Sequence, residues 1–170
     1  MKTLFAAALL AAFAFAPAAQ AQDACDALMA AMVHQRHIAS HAIAMVRQNG
    51  GAPVKQESIL IGGAMYFKNG EIWLSVPMPP RRLTDFYQKS DKDVKVTCAR
   101  AADEAIDGEA AAVYTEHAVR NNGDVNDNRT WLSKKTGLAL KLENRFKNAQ
   151  GTSEIVATFD YRNVKAPEVK

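Results

Sequence analysis

The chain has 170 residues, of which 48% are hydrophobic and 23% are charged. This composition is typical of a folded domain and excludes a disordered, collagen-like or coiled-coil chain. The net charge is +3, and adjacent basic residues occur only at Arg81-Arg82 and Lys134-Lys135. Nucleic-acid-binding proteins carry a denser basic stripe, so the charge pattern argues against that class of partner and indicates a mixed, solvated surface.

The N-terminus contains the three parts of a secretory signal peptide. Lys2 supplies the positive start, residues 4–16 form an apolar run, and Ala19-Gln20-Ala21 is a small-x-small cleavage site. The apolar run is too short for a good membrane span, and no second long apolar run follows it. We therefore predict a cleaved signal at residues 1–21 and a single mature domain, without a membrane span, at residues 22–170.

Two cysteines are present, Cys25 and Cys98. The residues before Cys25, Gln22-Asp23-Ala24, lack the aliphatic residue of a lipobox, so no lipid anchor is expected, and the short alanine-rich signal favours a Gram-negative periplasm. In that oxidising compartment an even pair of cysteines predicts a disulfide bond closing a loop of roughly 70 residues. Two free thiols or a pair of metal ligands are the alternatives. Without a Cys-x-x-Cys motif, a thioredoxin-like redox role is not expected.

Hydrophobic periodicity gives the predicted elements in chain order. A helix is predicted over residues 23–35, where Leu28 and Met32, with Met29 as a further candidate, form an apolar stripe at helical spacing. Beyond it the apolar residues alternate with a period of two, which is typical of half-buried strands. A second, short helix is predicted over residues 81–89. The predicted strands are residues 40–48, 54–61, 64–68, 71–76, 93–100, 111–120, 129–134, 138–146 and 153–162.

Turn signals separate these strands and limit the fold class. Asn69-Gly70 is a strong hairpin signal, Asp107-Gly108 marks another turn, and residues 121–128 are predicted to form a polar turn. Strands and helices do not alternate, which excludes a parallel doubly wound sheet. We predict an α+β fold: a strongly curved antiparallel sheet, an open half-barrel of about eight strands, covered by the N-terminal helix and the short middle helix.

Histidines near the N-terminus raise the possibility of a metal site. His34, His37 and His41 would share one face and could hold zinc or copper if the helix continued through residue 41. Ile43 and Val46 instead favour a change to strand, which would move His41 out of line. We therefore predict no metal site here and keep a periplasmic metal binder as the third hypothesis.

No catalytic or cofactor-binding set is recognisable elsewhere. A Gly-x-Ser-x-Gly nucleophile motif is absent. Gly62-Gly63 lacks the lysine and the helix of a phosphate-binding loop, and residues 124–128 lack the glycine and the terminal glutamate of a calcium loop. We therefore expect no enzymatic activity and no cofactor.

Apolar side chains are the remaining candidates for a binding site. In residues 138–146, Leu138, Leu140 and Leu142 are predicted to face one way and the charged residues between them the other. A concave sheet with helices across its mouth tends to leave a cavity, and methionines suit adaptable apolar ligands, although plain core packing is the alternative for any one residue. The candidate ligand-binding residues are Met45, Met65, Trp73 and Leu140.

The order of several short motifs resembles the periplasmic lipoprotein carrier family, the outer-membrane lipoprotein-sorting or LolA-like proteins, over nearly all of the mature chain. These motifs are Ser40-His41-Ala42, Gly50-Gly51-Ala52-Pro53-Val54, Cys98, Asp107-Gly108-Glu109, Val113-Tyr114, Arg129-Thr130-Trp131-Leu132-Ser133, Thr136-Gly137-Leu138 and residues 160–167. The resemblance implies an open β-barrel, covered by helices, whose concave apolar face holds acyl chains or another hydrophobic ligand without chemistry.

The leading hypothesis is therefore a periplasmic, non-enzymatic protein that binds a hydrophobic small molecule, a lipid, an acyl chain or a lipidated protein. The second hypothesis is a protein–protein interaction or envelope-stress sensing module on the same fold. A tightly packed interior without a cavity would favour that second hypothesis.

Overall fold

The computed structural model describes residues 18–78 and 93–169. Most of the predicted signal peptide and the whole predicted middle helix, residues 81–89, lie outside the described residues. One helix, α1 (Ala18–Gln35), precedes ten strands in the described part of the chain. The strands are β1 (Ser40–Gln48), β2 (Val54–Ile61), β3 (Ala64–Asn69), β4 (Ile72–Pro77), β5 (Val94–Arg100), β6 (Glu104–Ile106), β7 (Glu109–Arg120), β8 (Val125–Ser133), β9 (Ala139–Asn148) and β10 (Gly151–Asp160).

All strands pair antiparallel in one sheet, with the order β4-β3-β2-β1-β10-β9-β8-β7-β5 and with β6 beside β7. Apart from the pairing of β1 with β10, most neighbours are consecutive along the chain. That pairing joins the first and last strands, for example Val46 opposite Ile155. The two edge strands, β4 and β5, are not paired with each other, so the sheet is open, as predicted.

The structure corrects three of the predicted elements. The helix begins at Ala18 rather than at residue 23. The sheet has ten strands in the described residues, against the predicted count of about eight, and β6 is the one strand for which no range was predicted. The predicted polar turn at residues 121–128 is wrong in its second half, since β8 already begins at Val125. Asn126 and Asn128 are poor strand formers, but both hydrogen-bond across to Asn144 on β9, and these contacts outweigh propensity.

Helix α1 lies against the edge strand β5. Ala24 and Leu28 pack against Cys98 in a small buried cluster that Cys25 and Tyr114 extend. The predicted disulfide between Cys25 and Cys98 is present, with 5.2 Å between the two Cα atoms. It therefore holds one turn of the helix at the β5 edge of the sheet. Among the described residues, no helix is apolar and long enough to cross a bilayer.

A second core lies on the opposite face of β7, β8 and β9. Val113 and Trp131 are fully buried there, and β6 closes over them through Ile106. The Trp131 indole donates a hydrogen bond to Glu104 of β6 at 2.7 Å. The short strand β6 exists because Asp107 and Gly108 both adopt positive φ angles, which form the tight hairpin that returns the chain to β7.

Reduction of the disulfide is expected to lower the free energy of unfolding by about 4 kcal/mol, because the bond closes a long loop in the unfolded chain. Denaturant unfolding with and without a reductant measures this change, and intact mass gives the oxidation state. A Cys25→Ser/Cys98→Ser variant is the control, since its unfolding midpoint must not respond to the reductant. Equal midpoints for the oxidised and reduced wild-type protein would contradict the prediction.

Candidate functional site

A cavity of about 950 Å³ lies between α1 and one face of the sheet. This volume is at the upper end of the range of small-molecule sites, roughly 300–1,000 Å³. We call the face that lines it the cavity face and the other the outer face. Much of the apolar lining comes from α1 and from six strands: Leu28, Met29, Met32, Val33, Leu60, Met65, Val96, Ala118, Leu142, Phe146, Ile155 and Phe159.

Strand register explains why these side chains share a face. Residues directly opposite each other on paired strands point to the same side of a sheet, and neighbours along a strand alternate. Leu60 lies opposite Met65, and both line the cavity. Thr130 lies opposite Leu142, and both line it as well.

The sheet curves around this cavity. Met65 on β3 and Val96 on β5 line the same space, although the strand order separates β3 from β5 by seven strand spacings. On a flat sheet these strands would be about 34 Å apart. A single cavity of this volume therefore requires the sheet to bend, as the half-barrel prediction expected.

The helix supplies the opposite wall of the cavity. Met29 and Val33 line it and are each 42% exposed, although both are apolar. Leu28, one residue from Met29, is buried against β5 beside the disulfide. One side of α1 thus attaches the helix to the sheet, and another presents apolar side chains to the cavity.

A row of polar side chains crosses the cavity face on β7, β8 and β9. Asn128 donates a hydrogen bond to Glu116 at 2.8 Å. The side-chain amide of Asn144 donates to the oxygens of both Asn126 and Asn128 at 2.6 Å. All four residues are partly buried, and all four line the cavity. We call Glu116, Asn126, Asn128 and Asn144 the polar row.

Of the four predicted ligand-binding residues, the structure places Met65 on the cavity lining and three elsewhere. Met45 is adjacent to Val46, whose partner Ile155 lines the cavity, so Met45 lies on the outer face. Trp73 lies opposite Lys68, whose ammonium is 5.8 Å from the indole ring, also on the outer face. Without a known register, the sequence pattern does not say which side of these strands meets the helix.

Leu140 is displaced from the cavity by a β-bulge. The pairing of β8 with β9 slips between Trp131, opposite Lys141, and Leu132, opposite Ala139, so Leu140 is the extra residue. Leu140 packs against the Trp131 core on the outer face, whereas Leu142 lines the cavity. The expectation that Leu138, Leu140 and Leu142 face one way is therefore wrong, because a bulge interrupts the alternation.

The three histidines of the metal hypothesis do not converge. His41 lies on β1, on the outer face, with Nε2 2.9 Å from Glu57 Oε1. Burial acts to raise the pKa of Glu57, but hydrogen bonds from His41 and Lys68 outweigh it, and the pKa lies below its ordinary value. His34 and His37 are exposed near the end of α1. No group of three or more His, Cys, Asp or Glu side chains suited to a metal ion occurs in the described residues.

Two parts of the lining were missed by the sequence analysis. Met29 and Val33 of α1 were not among the four predicted ligand-binding residues, although the apolar surface of the helix was visible in the sequence. The polar row was not visible, because Asn126 and Asn128 resemble turn residues and only the register brings them to Glu116 and Asn144.

No protein-family model matches this chain, and no curated protein matches it. LprF from Mycobacterium bovis aligns at 13% identity over 88% of this chain and 98% of its own, with a TM-score of 0.45. MucB in complex with MucA(peri) aligns at 13% identity over 87% of this chain but only 61% of MucB, with a TM-score of 0.46.

A LolA superfamily protein from Nitrosomonas europaea aligns at 9% identity over 89% of this chain and 95% of its own, with a TM-score of 0.27. The superfamily named from the sequence motifs is thus among the solved structures that align with this chain. The likeness concerns the fold, and what the cavity can bind depends on its own side chains.

Truncation of Leu140 and of Leu142 is expected to have different effects, because the two leucines lie on opposite faces of β9. In a Trp73→Phe background, Leu140→Ala should shift the emission of Trp131 and lower the free energy of unfolding by about 2 kcal/mol. Leu142→Ala is the matched control and should leave the Trp131 emission unchanged. An emission shift in Leu142→Ala and none in Leu140→Ala would contradict the assigned bulge.

Proposed function

We propose that this chain is a periplasmic, non-enzymatic protein that binds a hydrophobic ligand, a lipid or an acyl chain, in the cavity between α1 and the sheet. The observation that carries the proposal is the pair of apolar walls: Met29 and Val33 on α1, and Ile155 and Phe159 on β10, line one cavity of about 950 Å³. An apolar chain between these walls removes apolar area from water on both sides, which stabilises a complex by about 25 cal/mol per Å². Binding of this kind needs no catalytic group.

An oxidising compartment is supported by the bond between Cys25 and Cys98. Such bonds persist in the periplasm and are rare in the cytosol. The predicted signal peptide fits the same compartment. Cleavage after Ala21 would leave residues 22–35 of α1, so the mature protein would keep both the disulfide and the methionines that line the cavity.

The two rival hypotheses have less support. An interaction module without a ligand is expected to have a tightly packed interior, whereas a cavity separates α1 from much of the sheet. A metal binder would need His34, His37 and His41 together, and His41 is engaged with Glu57 on the outer face. The cavity therefore favours the ligand-binding hypothesis.

A lipidated protein is a second candidate ligand, favoured by apolar surface at the β4 edge of the sheet. Phe67, Leu74 and Val76 are exposed, and the register places all three on the cavity face with Met65. An acyl chain in the cavity has an apolar path to this edge. The protein that carries the chain would then remain outside.

Substitution of Met29 by glutamine is expected to weaken the binding of a fluorescent fatty acid about tenfold, because part of a methionine side chain is worth roughly 1.4 kcal/mol of apolar burial. Glutamine keeps a high helix propensity, so α1 should remain folded. Fluorescence titration of the folded protein measures the affinity.

The matched control is Met45→Gln. Met45 is 41% exposed, against 42% for Met29, but it lies on the outer face. The control should bind the fatty acid as tightly as the wild-type protein. Equal affinities for Met29→Gln, Met45→Gln and the wild type would show that the fatty acid does not bind in this cavity. A wild-type protein that binds no apolar ligand would refute the proposed function.

A further inference from the structure

The polar row gives the cavity a chemical character that an acyl chain does not need. A ligand made only of hydrocarbon would be served best by an apolar wall, yet Glu116 and three asparagines occupy the cavity face of three adjacent strands. A ligand that enters the cavity displaces the water around these polar groups. Each group then needs another hydrogen-bond partner, because an unpaired polar group opposes binding. The polar row should therefore favour a polar part of the ligand, rather than its hydrocarbon, next to β7 and β8.

The hydrogen bonds of the row run in one direction and end at a carboxylate. The amide of Asn144 uses both hydrogens, on Asn126 and Asn128, and Asn128 in turn donates to Oε1 of Glu116. Among the described residues, no further donor is found for the second carboxylate oxygen of Glu116. The Glu116 end of the polar row can therefore accept a further hydrogen bond from a ligand.

Four described lining side chains other than histidine carry a formal charge, Arg36 just beyond α1, Glu116, Arg120 and Asp124, and Glu116 is the one that lies within the polar row. Its register partner is Cys98, which is in the disulfide and carries no charge. Arg120 lines the cavity on the same strand, but it is the last residue of β7 and is exposed, so its charge stays in water at the rim. Asp124 also lines the rim, just beyond the strand.

We propose that Glu116 selects among hydrophobic ligands for those whose head group donates hydrogen bonds, an amine or an amide, and disfavours a free fatty-acid carboxylate. This inference rests on the proposed function, since it concerns the ligand of the same cavity. A donor head group replaces the water that the acceptor loses when the ligand enters. A carboxylate head group leaves that acceptor unpaired and adds repulsion between like charges.

The test compares dodecylamine, dodecanol and dodecanoate, each kept below its micelle concentration, by displacement of a fluorescent apolar probe. The three ligands share one chain length, so differences in affinity report on the head group. In the wild-type protein, dodecylamine should bind about tenfold more tightly than dodecanoate, with dodecanol between them. The Glu116→Gln variant, which keeps an oxygen for Asn128, should lose most of this preference.

Glu154→Gln is the matched control, because Glu154 lies on the outer face, where its nearest cations, Arg47 and Arg145, are each 3.8 Å away. It should keep the wild-type preference. If all three ligands bind equally well and Glu116→Gln changes nothing, the head-group inference is overturned and the binding function stands. If no ligand displaces the probe, both fail. A preference for dodecanoate that Arg120→Gln or Arg36→Gln abolishes would overturn the inference by assigning the head group to a cation of the lining.

Discussion

The attachment of one helix to the edge of a wide open sheet is the constraint on which the cavity depends. Ala24 and Leu28 bury themselves against Cys98, and the disulfide fixes that contact at β5. Strands β2 and β3, on the other side of the sheet, face the helix across the cavity, for example through Leu60 and Met65. Because the helix is held at one edge and the sheet bends toward it, the space between them cannot collapse without breaking the buried cluster.

The two faces of the sheet differ in packing: the outer face carries a closed core around Trp131, and the other face lines the cavity. On the outer face Trp131 is 2% exposed, and the cations of Arg129 and Lys141 lie 4.7 and 4.5 Å from its ring. The indole N–H donates a hydrogen bond to Glu104, so this buried donor has a partner. Because this closed core packs the outer face of β7, β8 and β9, the same strands can present a wall of mixed polarity to the cavity.

The alternation of apolar and polar residues predicted the bounds of the strands well. It predicted poorly which side chains of a strand lie on the cavity face. The bounds of β1 and β2 follow from alternation and from the glycine turns that flank them. Facing depends on long-range register, so Met45 and Trp73 were chosen as lining residues although they lie on the outer face. Leu140 was misplaced because a bulge is a tertiary adjustment with no local signature. Met65 was predicted as a lining residue and lines the cavity, and the helix wall, with Met29 beside Leu28, was also visible in the sequence.

The polar row also gives the cavity a direction. Its members lie on β7, β8 and β9, whereas Phe159, Leu60 and Met65 carry the lining across β10, β2 and β3 toward the β4 edge. A ligand with one polar end matches both regions only when it lies across the strands, with the polar end near Glu116. In the reverse orientation the hydrocarbon covers unpaired acceptors, and this loss opposes the gain from apolar burial. The arrangement of the lining thus favours one orientation of a bound amphiphile even though the cavity walls are mostly apolar.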